Sequence, residues 1–150
     1  GGLYMPLKWP IFSSDDLEGF LGLSYADLAA EITYPFVGDS IEKVKLLELA
    51  KESYKNFFHP SIAPIRNVSE NEYLLELFHG QTLAFKDFAM QFLRRIFEYV
   101  LEKKKKKITL LCATSGDTGA AAVDAYKGMK AIDIIILFPE GNIVIFFSMS

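Results

Sequence analysis

A lysine between two phenylalanines is the residue of this chain with the clearest chemical potential. Lys86 lies between Phe85 and Phe88, where the sequence predicts the start of a helix. The free N–H groups of a first helical turn and burial among aromatic rings both disfavour a charged amine. A neutral amine is nucleophilic and can form an imine with a carbonyl compound. Lys86 is therefore a candidate for covalent attachment of such a compound.

A second stretch, residues 113–121, reads Ala-Thr-Ser-Gly-Asp-Thr-Gly-Ala-Ala and is predicted to join a strand to a helix. Backbone N–H groups and hydroxyls in such a loop can bind a carboxylate or phosphate, and glycine allows close approach. As a bare pattern it also fits a helix cap without catalytic interest. It lacks the glycine spacing and the lysine of a nucleotide-binding loop. Asp117 fits poorly in a pure anion site, so we expect it to cap the helix or to contact the polar edge of a bound ring.

The composition indicates an ordinary soluble protein with one sizeable core. The chain has 150 residues and a net charge of −3, which gives no reason to expect nucleic-acid binding. Its single cysteine, Cys112, excludes an internal disulfide framework and fits a reducing compartment. No window reaches the roughly 18 uninterrupted apolar residues that a membrane span needs. We predict a cytoplasmic protein with no membrane partner and no metal site.

Residues 1–60 are predicted to form a small helical domain. The three expected helices are one behind a cap at residues 13–16, one over 25–33 that starts at Ser24 and stops near Pro35, and one over 41–56 behind a cap at 39–40. In the third, apolar residues lie near one side and charged residues mostly on the other. No cluster of titratable residues of catalytic type appears in this part, so its predicted role is packing.

Residues 61–141 are predicted to begin an α/β domain. After a linker through residue 68, the expected elements are a strand over 73–78, a helix over 85–101 with Thr82 as a plausible N-cap, a strand over 108–112, a small-residue helix over 118–127 that can pack closely and a strand over 132–138. Such alternation means right-handed crossovers and a parallel sheet with flanking helices. Ligands of these sheets bind beyond the carboxyl ends of the strands, where the loop after Cys112 lies.

Two segments resemble the threonine synthase family, which are enzymes of fold type II that depend on pyridoxal 5′-phosphate (PLP). Phe78–Asp87 reads Phe-His-Gly-Gln-Thr-Leu-Ala-Phe-Lys-Asp and matches the family's lysine segment except at Gln81, where the family has proline. Ala113–Gly119 matches the family's polar loop throughout. Residues 1–6 and 136–141 are similar to two further family motifs. The resemblance spans the chain except the divergent tail at residues 142–150.

The resemblance implies a role for each site residue. Lys86 would form the imine with PLP and later move protons, and Asp117 would face the cofactor ring. Thr114, Ser115, Gly116 and Thr118 would bind the α-carboxylate of the substrate. The full enzyme would convert O-phospho-L-homoserine and water to L-threonine and phosphate, with PLP as the electron sink.

The resemblance also implies that the family's PLP-phosphate loop and the residue that contacts its pyridine nitrogen lie downstream of this chain. We therefore expect a truncated product with little or no turnover on its own, and a companion polypeptide with the missing C-terminal half as a partner. Two other readings stay open. One is another fold-type II enzyme, such as a serine/threonine dehydratase or cysteine synthase. The other is a non-catalytic remnant.

Three features qualify this reading. Losing the family proline at Gln81 is expected to loosen the turn before the lysine. His79 could line the site or serve as a hydrogen-bonded structural residue. The run Lys103–Lys107 is expected to be a solvated helix end, where positive charge suits the helix dipole, rather than a site for an anionic partner.

Overall fold

A computed structural model describes residues 2–114 and 116–139 of the chain. The described residues form two compact units that divide between Lys55 and Asn56. The predicted domain boundary at residue 60 lies close to this division and stays a prediction. The predicted divergent tail at residues 142–150 lies outside the described residues.

The first unit contains three α-helices: α1 (Ser14–Gly19), α2 (Tyr25–Val37) and α3 (Lys43–Tyr54). A reciprocal pair of hydrogen bonds begins α1, because the Ser13 hydroxyl accepts from the Asp16 N–H at 3.2 Å and the Asp16 carboxylate accepts from the Ser13 N–H at 2.7 Å. The Ser24 hydroxyl accepts from the Asp27 N–H at 3.2 Å and begins α2 in a similar way. Serine caps thus set both helix starts, as the sequence predicts.

Two predicted boundaries in this unit are wrong. The helix α2 continues through Pro35 and ends at Gly38, which has a φ of +49° and donates its N–H to the Tyr34 carbonyl. Proline removes one backbone donor, and the packing of α2 on α3 outweighs that local loss. The predicted cap at residues 39–40 belongs instead to a 3-10 turn, Gly38–Ser40, and α3 begins behind Glu42.

The core of the first unit lies between α2 and α3. Leu46 and Ala50 of α3 are completely buried, and Ala30 of α2 is 2% exposed. The aromatic rings of Tyr25 and Tyr54 meet edge to face, with centroids 4.8 Å apart. Burial of these side chains stabilises the two helices against each other.

We expect Leu46→Ala to lower the free energy of unfolding of the first unit by about 2–5 kcal/mol, because it removes a fully buried side chain and leaves a cavity. Denaturant titration followed by circular dichroism measures the change. Val44→Ala is the matched control on the same helix, because Val44 is 71% exposed and should lose less than about 0.5 kcal/mol. Equal losses for the two variants would contradict the packing described here.

The second unit begins with an antiparallel hairpin, β1 (Ile65–Ser69) and β2 (Glu72–Leu75), in which Ile65 lies opposite Leu75. The predicted linker through residue 68 is therefore wrong in its last part, and the predicted strand over 73–78 ends at residue 75. Both strands are exposed along their length, so no buried apolar face marked them in the sequence.

The hairpin is followed by α4 (Asp87–Lys104), β3 (Ile108–Ala113), α5 (Asp117–Tyr126) and β4 (Ile132–Leu137). Strands β3 and β4 are parallel, with Ile108 opposite Ile132 and Ala113 opposite Leu137. The predicted parallel pair is confirmed. Thr82 is not the N-cap of α4, because Lys86 occupies that position.

The core of the second unit is formed by α4, α5 and the strand pair. Alanines at positions 121 and 125 of α5 are completely buried and permit close packing, as the small-residue pattern of this helix predicts. The Gln91 amide donates to the Asp124 carboxylate at 2.8 Å and ties α4 to α5. The other buried members of this core are Leu101, Ala122, Tyr126 and Ile132.

Cys112 of β3 is half-buried and carries a free thiol. Of the helices in residues 2–114 and 116–139, none has the length and apolar character to cross a membrane.

Candidate functional site

Lys86 lies immediately before the first turn of α4, and the start of that helix fixes its backbone. Its φ and ψ are −67° and −18°, and its carbonyl accepts from the Met90 N–H at 3.0 Å. Its Nζ lies 3.9 Å from Oδ2 of Asp117 and 4.5 Å from the ring centroid of Phe85. The side chain is 29% exposed. The structure thus directs this amine towards the start of α5.

The polar loop lies at the carboxyl end of the parallel strands. The Thr114 N–H donates to the Leu137 carbonyl at 2.9 Å, which continues the pairing one residue beyond β3. A shallow depression of about 480 Å³ opens there, lined by Ala113, Thr114, Leu137, Phe138 and Pro139. This is the edge of a parallel sheet at which ligands bind.

The predicted anion-binding residues surround the start of α5. Thr114 and Thr118 are half-buried, Gly116 is exposed, and Ser115 lies outside the described residues. The Thr114 hydroxyl accepts from the Gly116 N–H at 3.4 Å. The free N–H groups of the first turn favour negative charge at this point.

Asp117 is the first residue of α5, and its side chain is 70% exposed. It is not the N-cap, which is Gly116 without a side-chain cap, so the predicted capping role is wrong. Its carboxylate lies near the positive end of the helix dipole and pairs with Lys86. The contact between Lys86 and Asp117 joins the predicted lysine segment to the predicted polar loop.

Gly119 explains why the loop and α5 can lie so close together. A Cβ at this position would lie 2.8 Å from Cγ2 of Thr114, which is too short for a non-bonded contact. Gly119 is buried. The glycine of the loop motif therefore allows the first turn of α5 to pack on Thr114.

The residue that closes the loop before Lys86 is not among the predicted site residues. Asp87, the first residue of α4, is completely buried. Its Oδ2 accepts from the Thr82 N–H at 2.8 Å, and its Oδ1 accepts from the Thr82 hydroxyl at 2.7 Å. The available signal was an acidic residue directly between Lys86 and Phe88, in an otherwise apolar helix start.

The turn before Lys86 forms hydrogen bonds with residues 56–58. The Gln81 amide, at the position of the family proline, donates to the carbonyl of Asn56. The Phe58 N–H donates to the His79 carbonyl at 2.8 Å beside it. These hydrogen bonds link residues 56–58 to 79–81, so the glutamine supplies a constraint where the loss of proline was expected to loosen the turn.

His79 takes part in a hydrogen-bonded group with Glu76 and Arg66. Its Nε2 lies 2.7 Å from Oε2 of Glu76, and the Arg66 Nε donates to Oε1 of the same carboxylate at 3.2 Å. The hydrogen bond from His79, followed by the hydrogen bond and charge of Arg66, holds the pKa of Glu76 below its usual value. These contacts favour the structural reading of His79.

We expect Glu76→Gln to flatten the acid dependence of stability. A carboxyl group with a lowered folded-state pKa stabilises the fold above its ordinary pKa, and this stabilisation is lost as the pH falls through the lowered value. Wild type should therefore lose more stability than the variant as the pH falls below about 4.5. Thermal unfolding between pH 7 and 3 measures the difference, with Glu70→Gln in the same hairpin as the control. Identical profiles for wild type and Glu76→Gln would contradict this account.

The lysine run at the end of α4 has the exposure that the sequence predicts. Lys105 ends α4 with a φ of +51°, and Lys103–Lys107 are exposed, as expected for a solvated helix end. Within the part of the chain that the structure describes, no group of three or more histidine, cysteine, aspartate or glutamate residues could hold a metal ion.

Comparisons with known proteins agree on one family. The profile of the threonine synthase N terminus matches residues 1–54. Threonine synthase from Pseudomonas aeruginosa is 41% identical over 143 residues, which are 95% of this chain and 30% of that protein. Threonine synthase-like 2 from Mus musculus is 38% identical over the same length.

Solved structures give the same result. The PLP-bound threonine synthase from Brucella melitensis has a TM-score of 0.88 and 42% identity, and the match covers 96% of this chain and 31% of that one. The Escherichia coli threonine synthase has a TM-score of 0.81 and 39% identity. The chain spans about 30% of the length of the curated relatives it matches. In sequence and in fold, the chain is similar to part of these threonine synthases, and its residues 1–54 match the model of their N terminus.

Proposed function

We propose that this chain supplies the lysine side of the PLP site of a threonine synthase. The observation that carries the proposal is the approach of the Lys86 Nζ to 3.9 Å from Oδ2 of Asp117, at the carboxyl end of two parallel strands. The donor set fits the cofactor, because a partly shielded primary amine can hold an aldehyde and a neighbouring helix start favours anionic groups. A fold of type II follows from the same proposal.

Each residue of the site would have a separate role. Lys86 would hold PLP covalently through the aldehyde carbon, with loss of one water molecule, and its Nζ would later accept and return protons. Asp117 would keep that amine directed at the start of α5. The carboxylate of the substrate would bind at Thr114, Ser115, Gly116 and Thr118. PLP, when bound, supplies the electron sink for elimination and addition at the side chain of the substrate.

The substrate is proposed from the family. Every relative and solved structure named above is a threonine synthase or is called threonine synthase-like, which favours O-phospho-L-homoserine over the substrates of dehydratases or cysteine synthases. The residues that correspond to the rest of the relatives' length would come from a longer form of this chain or from a companion polypeptide. A cytoplasmic location fits the free thiol of Cys112.

Titration of the purified chain with PLP tests the proposal. We expect a saturable absorbance band near the visible edge, because the Lys86 amine joins the conjugated system of the cofactor. Addition of O-phospho-L-homoserine should release little or no phosphate, since the chain spans about 30% of its relatives, and the Pseudomonas aeruginosa enzyme serves as the active reference. Absence of the band at saturating PLP would contradict the proposed cofactor site.

A further inference from the structure

We propose that Asp87 is a positioning residue for Lys86, acting through the loop of residues 80–87, and this inference rests on the function proposed above. Asp87 is completely buried, and burial of a carboxylate is costly unless hydrogen bonds satisfy it. Both of its oxygens accept hydrogen bonds from Thr82, five residues earlier in the chain. One side chain therefore closes the loop that leads into Lys86.

Gly80 shows how tightly this loop is closed. A Cβ at Gly80 would lie 2.8 Å from Cγ of Asp87 and closer still to its Oδ2. The backbone at residue 80 thus rests against the carboxylate and leaves no room for a side chain. The Leu83 N–H also donates to the Gly80 carbonyl at 3.2 Å, which folds the loop on itself.

The loop of residues 80–87 contains one residue, Leu83, in an unfavourable backbone conformation. Leu83 has a φ of +62°, in the left-handed region that disfavours residues with a Cβ, and its side chain is 62% exposed. A strained residue of this kind persists where the surrounding contacts over-determine it. The contacts that can hold it include the two hydrogen bonds from Thr82 to the Asp87 carboxylate, the hydrogen bond from Leu83 to Gly80, and those that link residues 79–81 to 56–58.

Lys86 is the residue that these contacts place. It lies in this loop directly before Asp87, and its carbonyl receives the first hydrogen bond of α4, from Met90. Asp87 is completely buried and its two oxygens bind Thr82, so we infer that it acts through the backbone rather than on the reacting atoms. If the carboxylate were lost, residues 82–86 would be free to rotate and Nζ would leave the start of α5.

The test compares Asp87→Ala with Asp87→Asn in the full chain. An asparagine can accept from the Thr82 N–H and donate to its hydroxyl, so it keeps the loop closed, whereas alanine cannot. PLP is added, the adduct is trapped with borohydride, and the rate of labelling at Lys86 is compared with that at the exposed Lys104. We expect Asp87→Ala to lower this ratio by about tenfold to a hundredfold and Asp87→Asn to restore it to within about threefold of wild type. The control variant is Asp133→Asn, an exposed carboxylate on β4.

A wild-type ratio in folded Asp87→Ala would overturn the inference. If Asp87→Ala does not fold, the same labelling ratio is measured in Thr82→Val, because this variant keeps the N–H donor and loses the hydroxyl. A ratio lowered by at least about threefold supports the positioning role, and an unchanged ratio refutes it.

Amide hydrogen exchange separates this inference from the proposed function. If PLP does not label Lys86 preferentially in the wild-type chain, the proposed function fails. The role of Asp87 is then tested by the exchange rates of the Thr82 and Met90 amides. The role of Asp87 is supported if both amides exchange at least about tenfold faster than in wild type in Asp87→Ala, or in Thr82→Val if Asp87→Ala does not fold. Unchanged exchange at both refutes it.

Discussion

Replacing Lys86 by alanine is expected to remove the absorbance band that forms with PLP, to below about a tenth of the wild-type amplitude, because no other amine occupies this position at the start of α5 in the described structure. Surface lysines react with free aldehydes weakly and without saturation. The band should therefore lose both its amplitude and its saturable concentration dependence.

The matched control is Lys104→Ala, since Lys104 lies exposed in the last turn of α4, at the opposite end of the same helix. We expect the control to keep the wild-type band. Circular dichroism establishes that both variants fold alike. A full band in Lys86→Ala would assign the reactive amine to another lysine.

Gly80→Ala is expected to destabilise the second unit by about 3 kcal/mol, because its Cβ would overlap the buried carboxyl group of Asp87. The overlap can be relieved only by backbone strain or by breaking the hydrogen bonds between Asp87 and Thr82, and either cost falls in this range. The neighbouring lysine should also lose reactivity towards PLP.

Denaturant titration of the variant measures this loss of stability, and the PLP band measures the loss of reactivity. Gly19→Ala is the control, since nothing lies within 4 Å of the added Cβ and alanine favours a helix. A Gly80→Ala variant as stable as wild type would show that the loop of residues 80–87 is not packed as described.

The parallel strand pair could be predicted from the sequence because its signals are local and strong. Runs rich in β-branched and aliphatic residues at Ile108–Ala113 and Ile132–Leu137 flank a small-residue helix, and this order admits few topologies. The serine caps of the first two helices were equally readable, since Ser13 and Ser24 each precede an aspartate by three residues.

The hairpin β1–β2 could not be predicted in the same way. Its strands are exposed on both faces, so hydrophobic alternation was weak, and the polar turn at Glu70 and Asn71 was not recognised. The path of α2 through Pro35 was also missed, because packing on α3 outweighs the local preference of proline.

The reactive residues of the candidate site could be predicted because they lie within two sequence motifs. Lys86 and Asp117 were named from sequence, and the structure brings their charged groups together. The supporting contacts were not visible, because they depend on tertiary closure: the buried Asp87 with Thr82, and the hydrogen bond from Gln81 to Asn56. A sequence motif therefore identifies the reactive groups more readily than the residues that position them through tertiary contacts.

Peptide mapping after borohydride reduction of the chain with PLP tests the central claim most directly. One stoichiometric label on the peptide that contains Lys86, with only traces on the other lysines, is the result that the structure predicts. A label spread over exposed lysines such as Lys103–Lys107, with none enriched at Lys86, would contradict the assignment of the PLP site.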